Sequence, residues 1–298
     1  MGTVLRFVNA VHEVISREFP RVRIDTLAYV YTRKLPKITK PLPGVVIRLC
    51  SNESCFSHPM AECRVDRTAL QTNFSKDIAE WSEVCRDIYL WDYTTHFANY
   101  LAPFPNLNVL KPNLEFFKAH GVNGLFEEGA PNTLLSYAGE LRQYVLAKLM
   151  YDLSLDERLL MNEFYAGVFG PAAPYVRAYY EFWQLRSLSS GEHLFLDGGV
   201  TSSYFTKENL DAARVLLEKA MVLAADEATR LRIEKITLSC DFIDMAQMDK
   251  GRAKDAAVDA LIGKCRQMGM GRLTEWHTFE QSEKVFKEQD ALLPISAQ

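Results

Sequence analysis

Four short apolar runs, at residues 24–31, 45–50, 88–93 and 122–126, recur along the first half of the chain with a crossover-length segment between each and the next. Their β-branched and aromatic content reads as strand. The first two are nearly wholly apolar rather than alternating, which is the pattern of strands covered on both faces. A parallel pair needs a long crossover, usually helical, whereas an antiparallel pair can be closed by a tight turn. The spacing therefore predicts an α/β fold on a parallel sheet, with its working ends at the strand C-termini.

The segments between the runs carry helical periodicity. Val4, Phe7, Val8, Val11, Val14 and Ile15 fall on one helical stripe that Pro20 ends, and Leu70, Phe74, Ile78, Trp81 and Cys85 mark the inner face of a second helix. Pro112 suits the first position of a third, with Leu114 and Phe117 facing inward and Gly121 in the left-handed turn at its end. After Gly129 the strand pattern ceases. Helices are expected at 134–151, at 155–169 behind a capping box from Ser154 to Glu157, and at 174–188. Residues 189–205 gather Gly and Ser and read as a linker, beyond which Thr206 caps a helix and two more are expected at 226–248 and 255–270. The expected organisation is a strand-bearing region at 1–133, a helical extension at 134–190 and a helical region at 191–298.

With 48% hydrophobic and 24% charged residues the chain has enough apolar material for one or two substantial cores. The net charge of −4, with its basic residues scattered, provides no footprint for nucleic acid or an anionic membrane, so neither is expected as a partner. An uncharged ligand such as a carbohydrate fits better. No run approaches the roughly 20 apolar residues of a membrane helix, and the opening MGTVLRFVNAVHEV lacks signal-peptide features, which leaves the compartment open. There is no glycine-rich phosphate loop and no nucleophile elbow, so no cofactor is expected.

Candidate site residues cluster where the runs end. Trp91, Asp92 and Tyr93 put an aromatic plane, a carboxylate and a phenol at one strand end, which suits the apolar face and hydroxyl rim of a pyranose. The plainer reading makes Trp91 core and Asp92 a loop cap. His96, Asn99 and Tyr100 continue the same loop, where an asparagine equally often fixes backbone. Glu127 and Glu128 end the fourth run just before Gly129. Adjacent carboxylates on one strand point to opposite faces and rarely straddle a glycosidic bond, whose two carboxyls sit about 5–9.5 Å apart, so they read as sugar-hydroxyl acceptors or as a salt-bridged pair. Asn52 and Glu53 follow the second run; Asp92 and then Glu53 are the candidates for acid or base. Tyr29 and Tyr31 end the first run and either line the same cleft or pack. Cys50, Cys55, His58 and Cys63 form a set that zinc could close, and a disulfide or plain buried thiols, with His58 binding sugar or serving structure, remain the alternatives.

The stretches WDYTTHFANYLAPFPN, RLCSNESCFSHP and GVNGLFEEG, with FGPAAPYVRAYYEFW and YFTKENLDAA further on, resemble the family labelled domain of unknown function 4838, which is grouped with glycoside hydrolase family 163. The resemblance implies a (β/α)8 barrel related to the hexosaminidase-like hydrolases. It implies action on N-acetylglucosamine-containing glycans, in the manner of a retaining endo-β-N-acetylglucosaminidase, by members that are exported. Family members carry a long region ahead of the part matched here, with the first four barrel strands and the acidic residues that end the fourth. The expectation is thus the carboxy-terminal half of a (β/α)8 TIM-type barrel, strands five to eight, followed by an α-helical domain. Residues 88–106 would then be the seventh strand and its substrate loop, Asn52 and Glu53 would follow the sixth, and Glu127 and Glu128 would end the eighth. The expected partners are an oligosaccharide or glycan, together with either the amino-terminal barrel half or a second copy of the half barrel. The rival expectation is a non-catalytic carbohydrate-binding or structural module.

Overall fold

The four runs become β1 (Ile24–Ala28), β2 (Val45–Cys50), β3 (Ile88–Tyr93) and β4 (Val122–Glu128) in a computed structural model that describes residues 1–66, 73–197 and 200–291. They make one four-stranded sheet in the order β1-β2-β3-β4, every neighbouring pair parallel. The fold is thus mixed α/β, as the spacing requires. Three helices belong with the sheet: α1 (Gly2–Glu18), α2 (Phe74–Ser82) and α3 (Leu110–Ala119). The later ones are α4 (Gly139–Tyr151), α5 (Glu157–Phe169), α6 (Ala173–Ser190), α7 (Lys207–Val222), α8 (Glu227–Ala246), α9 (Arg252–Gln267) and α10 (Phe279–Glu288).

The chain divides into two compact units, one made of Met1–Thr94 with Val109–Glu128 and the other of Thr95–Asn108 with Gly129–Gln298. In the first, Ala28, Ile47, Leu49, Ile88 and Leu90 are buried on one sheet face, and α1, α2 and α3 contribute Leu5, Val8, Phe74, Ile78, Trp81, Leu114 and Phe117 to the core. Strand β2 is buried on both faces except at Arg48, as its apolar run predicts. Strand β1 departs from that expectation: it has a neighbour on one side only, its burial alternates, and Leu27 is 45% exposed. It also stops at Ala28, three residues early, because Val30 takes a φ of +47° and the chain tightens into a turn at Val30–Thr32. The Thr32 hydroxyl accepts the Tyr29 N–H at 3.0 Å and holds that turn.

Strand β4 runs on through both glutamates, two residues past its apolar stretch, since the ladder to β3 continues as Asp92↔Glu127 and Tyr93↔Glu128. Helix α3 begins at Leu110, so Pro112 is its third residue rather than its first, a position whose N–H needs no intrahelical partner either. Gly121 does end α3 in the left-handed region, at φ +73°. Along α1 the apolar stripe is wider than what is covered, with Phe7 71% and Val14 64% exposed. Leu70 lies outside the described residues.

The regular elements of the second unit are helices and 3-10 turns among its described residues. Helix α4 starts at Gly139, later than its periodicity suggests, because Ala138 is left-handed at φ +53°. Helix α5 is capped by Asp156, which accepts from Leu159 N at 3.0 Å, and Ser154 instead turns back to Asp152. Thr206 caps α7 as its sequence position requires. The linker reading of 189–205 does not survive: Leu194, Leu196, Val200, Tyr204 and Phe205 are buried, so the apolar residues between the Gly and Ser decide the packing. Gly198 and Gly199 lie outside the described residues. Among the described residues no helix is long and apolar enough to cross a membrane.

Candidate functional site

Strand alternation sorts the candidate residues onto two faces. The register pairs Cys50 with Trp91, Trp91 with Phe126 and Tyr93 with Glu128, so these share one face, and Asp92 and Glu127 share the other with Leu90 and Leu125. On the first face Trp91 donates its indole N–H to Glu128 Oε2 at 2.7 Å, and its ring meets Phe126 edge-on with centroids 4.9 Å apart. Trp91, Tyr93 and Glu128 are half-buried, while Phe126 and Tyr29 are exposed. Thr94 donates from both N and Oγ1 to the Glu128 carbonyl, each at 2.9 Å, which fixes the C-terminal ends of β3 and β4 against each other.

Tyr93 lies within electrostatic reach of Cys50, Tyr29 and Glu128, and burial, followed by these neighbours, raises its pKa well above the usual phenol range. Burial likewise pushes the Cys50 thiol up to about 12, with Arg48 opposing and Glu128 assisting. The result is an aromatic patch with one carboxylate already oriented by an indole N–H, open at the C-terminal strand ends. Tyr31 stands 83% exposed just beyond β1. Toward the strand N-termini the same face carries Arg48, paired with Asp25 and 5.8 Å from the Tyr89 ring centroid. Gly124 is what lets Tyr89 lie on β4, because a Cβ there would meet the ring at 2.5 Å.

The opposite face holds a different device. Asp92 is buried and accepts a short hydrogen bond from the Ser51 hydroxyl. Burial lifts its pKa to about 6 against the opposing pull of Ser51 and the Tyr93 N–H. Glu127, its register partner, is raised well above the carboxylate range by burial and then by the Asp92 charge. Asp92 is buried and Glu127 half-buried, and the two like charges on one face disfavour ionising both.

Glu53, the second acid–base candidate, is committed elsewhere. It accepts from Arg33 Nη1 at 3.0 Å, and the same guanidinium binds Asp66 through Nη2 and Asp77 through Nε, the last at 2.6 Å. All four side chains are nearly inaccessible. Burial works against the Arg33 charge, yet Asp66 and Asp77 outweigh it and the Arg33 pKa rises; burial also raises both aspartates, and the opposing pull of Arg33 does not cancel it. Trp81 adds a 2.7 Å bond to the Arg33 carbonyl. This cluster is a buried cross-link among four chain segments, and Glu53 is part of it. The neighbouring Asn52 is half-buried, and its Oδ1 has no partner among the described residues.

Asn99 and Tyr100 belong to the second unit, as does His96. The Asn99 N–H is donated to His96 Nδ1 at 3.1 Å, and the Tyr100 backbone bonds Leu273 and Tyr137 while its ring is fully buried. These residues hold backbone and core in that unit. Of the cysteine set, Cys50 turns to its own strand, with Sγ 3.9 Å from the Arg48 carbonyl, while Cys55, His58 and Cys63 converge in the loop after β2. None of the six cysteines is in a disulfide.

Sequence reasoning missed Arg33, Ser51 and Phe126. Arg33 left one signal, a lone arginine just past an apolar run, but its partners lie 20, 33 and 44 residues away. Phe126 and Ser51 sit at strand ends, and only the register reveals which face each joins.

The fold and site define an α/β protein whose parallel strands present a mixed aromatic and acidic face at their C-terminal ends. The family model described as "Domain of unknown function (DUF4838)" matches residues 1–181, and the chain belongs to that family. No curated protein and no solved structure matches the chain.

Proposed function

We propose that the exposed face around Trp91 binds a sugar of an N-acetylglucosamine-containing glycan, and that the chain is a glycoside hydrolase-like protein of the family 163 type. The observation that carries this reading is the Trp91–Glu128 pair beside Phe126. An aromatic plane offers stacking to a pyranose, and a fixed carboxylate next to it accepts from ring hydroxyls.

The sheet itself fits four consecutive strands of a (β/α)8 barrel. Its sequential order β1-β2-β3-β4 has no reversal, unlike a doubly wound sheet, which switches direction at its ligand crevice. Edge strand β1 with exposed Leu27 and Tyr29, and edge strand β4 with exposed Phe126, are where further strands and the inner face of a closed barrel belong.

Hydrolysis of a glycosidic bond needs two carboxylates straddling it. The open face offers Glu128 at its C-terminal end, with Asp92 on the opposite face and Glu53 held by Arg33. That imbalance favours a second reading: this chain alone binds glycan without cleaving it, and turnover requires acidic residues from an additional barrel half. Incubating the purified chain with a biantennary N-glycan, following release by mass spectrometry and binding by calorimetry, separates the two. Cleavage supports the hydrolase, binding without cleavage supports the module, and neither binding nor cleavage sinks the proposal.

A further inference from the structure

We infer that the loop after β2 is a zinc site whose protein ligands are Cys55, His58 and Cys63. Their spacing, C-x2-H-x4-C, places all three in one short loop. The three donor atoms lie within 4.8 Å of one another, and Cys55 Sγ is 3.3 Å from His58 Nδ1. Around a tetrahedral zinc with bonds of about 2.3 Å to sulfur and about 2.0 Å to nitrogen, neighbouring donors stand roughly 3.5–3.8 Å apart. The loop is therefore already near the geometry that the ion would impose.

The scaffold beneath those donors is fixed independently of them. Ser54 and Asp66 form an antiparallel bridge that closes the loop at its base. Arg33 ties the same two ends together through Glu53 and Asp66. Within the loop, Cys63 N–H bonds the Pro59 carbonyl at 2.9 Å and Met60 N–H bonds Asn113 Oδ1 at 2.9 Å. Ser57 Oγ stands 3.2 Å from Cys55 Sγ, placed to donate a hydrogen bond to the metal-bound thiolate, and the 3.1 Å contact it makes with His58 Nδ1 gives way when that nitrogen takes the ion. Cys55 is buried, whereas His58 and Cys63 are partly accessible, so an ion has an entry path.

The donor set selects the ion. Two soft sulfurs and an imidazole suit zinc over magnesium or calcium, which take oxygen ligands. On binding, each thiol releases its proton to solvent and the imidazole coordinates neutral, so two thiolates balance the dication. The fourth position of the tetrahedron goes to water or to a donor from outside the loop.

The test starts with protein purified under reducing conditions without chelators. Elemental analysis is expected to find about one zinc per chain, and Cys55→Ser, His58→Asn and Cys63→Ser each to lower occupancy at least tenfold. Cys50→Ser and Cys85→Ser are expected to retain it. Cobalt(II) added to the demetallated chain should give a thiolate-to-cobalt charge-transfer band and intense tetrahedral ligand-field bands, both absent from Cys55→Ser. Where a loop variant fails to fold, the cobalt spectrum of the unsubstituted chain decides alone. A Cys55–Cys63 disulfide in unreduced, alkylated protein, a metal content unchanged by the three substitutions, or a cobalt spectrum without sulfur charge transfer overturns the assignment.

Discussion

Replacing Asp92 by Asn isolates the cost of burying its carboxyl. In the folded chain burial raises the Asp92 pKa from 3.8 to about 6. A carboxyl raised on folding binds its proton more tightly in the native state, so its contribution is fully present below the unfolded pKa and is lost as pH rises through the folded one. With about 1.4 kcal/mol per pKa unit, the shift amounts to about 3 kcal/mol lost between pH 4 and pH 7, an upper figure because Glu127 titrates with it. Asparagine cannot ionise, and its amide oxygen can still accept from Ser51. Asp92→Asn is therefore expected to match the parent chain near pH 4 and to exceed it by up to about 3 kcal/mol at pH 8. Urea unfolding of both proteins at pH 4, 6 and 8 measures the difference. A gap independent of pH, or a variant weaker at pH 8 than at pH 4 relative to its parent, refutes the reasoning, because Asp92 would then be ionised and held by a cation.

Three further outcomes follow from the packing. Arg33→Met leaves Glu53, Asp66 and Asp77 buried without their cation and is expected to cost about 3–5 kcal/mol in thermal or urea unfolding, less at pH 5 than at pH 8 as Asp66 and Asp77, already raised by burial, take up protons. Gly124→Ala drives a Cβ into the Tyr89 ring and is expected to cost about 1–3 kcal/mol. Adding Tyr89→Ala should recover part of that loss, a coupling that a double-mutant cycle reads directly. Thr206→Ala removes the oxygen that accepts from Asn209 N at 3.2 Å and is expected to cost about 1 kcal/mol of the stability of α7, seen as faster amide exchange in its first turn.

The strands were legible because each gathers β-branched and aromatic residues in one short run; β2 is buried along its length except at Arg48, and β3 at every second residue. Strand β1 was overextended because its run continued through Tyr29 and Val30, whereas an edge strand can turn away as soon as one residue takes a positive φ. Ser154 does not cap α5 for a local reason: Asp156, two residues on, takes the helix start and Ser154 bonds Asp152 instead. At the site, residue types were readable but their grouping was not. Trp91, Asp92 and Tyr93 are neighbours in sequence, yet alternation sends Asp92 away from the other two, and the register with β4 supplies Phe126 and Glu128 instead. Glu53 read as a candidate acid because the buried arginine that claims it lies 20 residues earlier. Long-range electrostatics of that kind leave no mark at short sequence spacing.

The central claim is that the face bearing Trp91 and Glu128 holds a sugar. Saturation-transfer difference NMR with a chitobiose-core N-glycan, repeated on Trp91→Ala and Glu128→Gln whose melting transitions match the parent, tests it most directly. Transfer to the pyranose ring protons of N-acetylglucosamine is expected in the parent chain, with affinity at least about tenfold weaker in both variants, equivalent to about 1.4 kcal/mol. No transfer in the parent, or transfer undiminished in both variants, contradicts it.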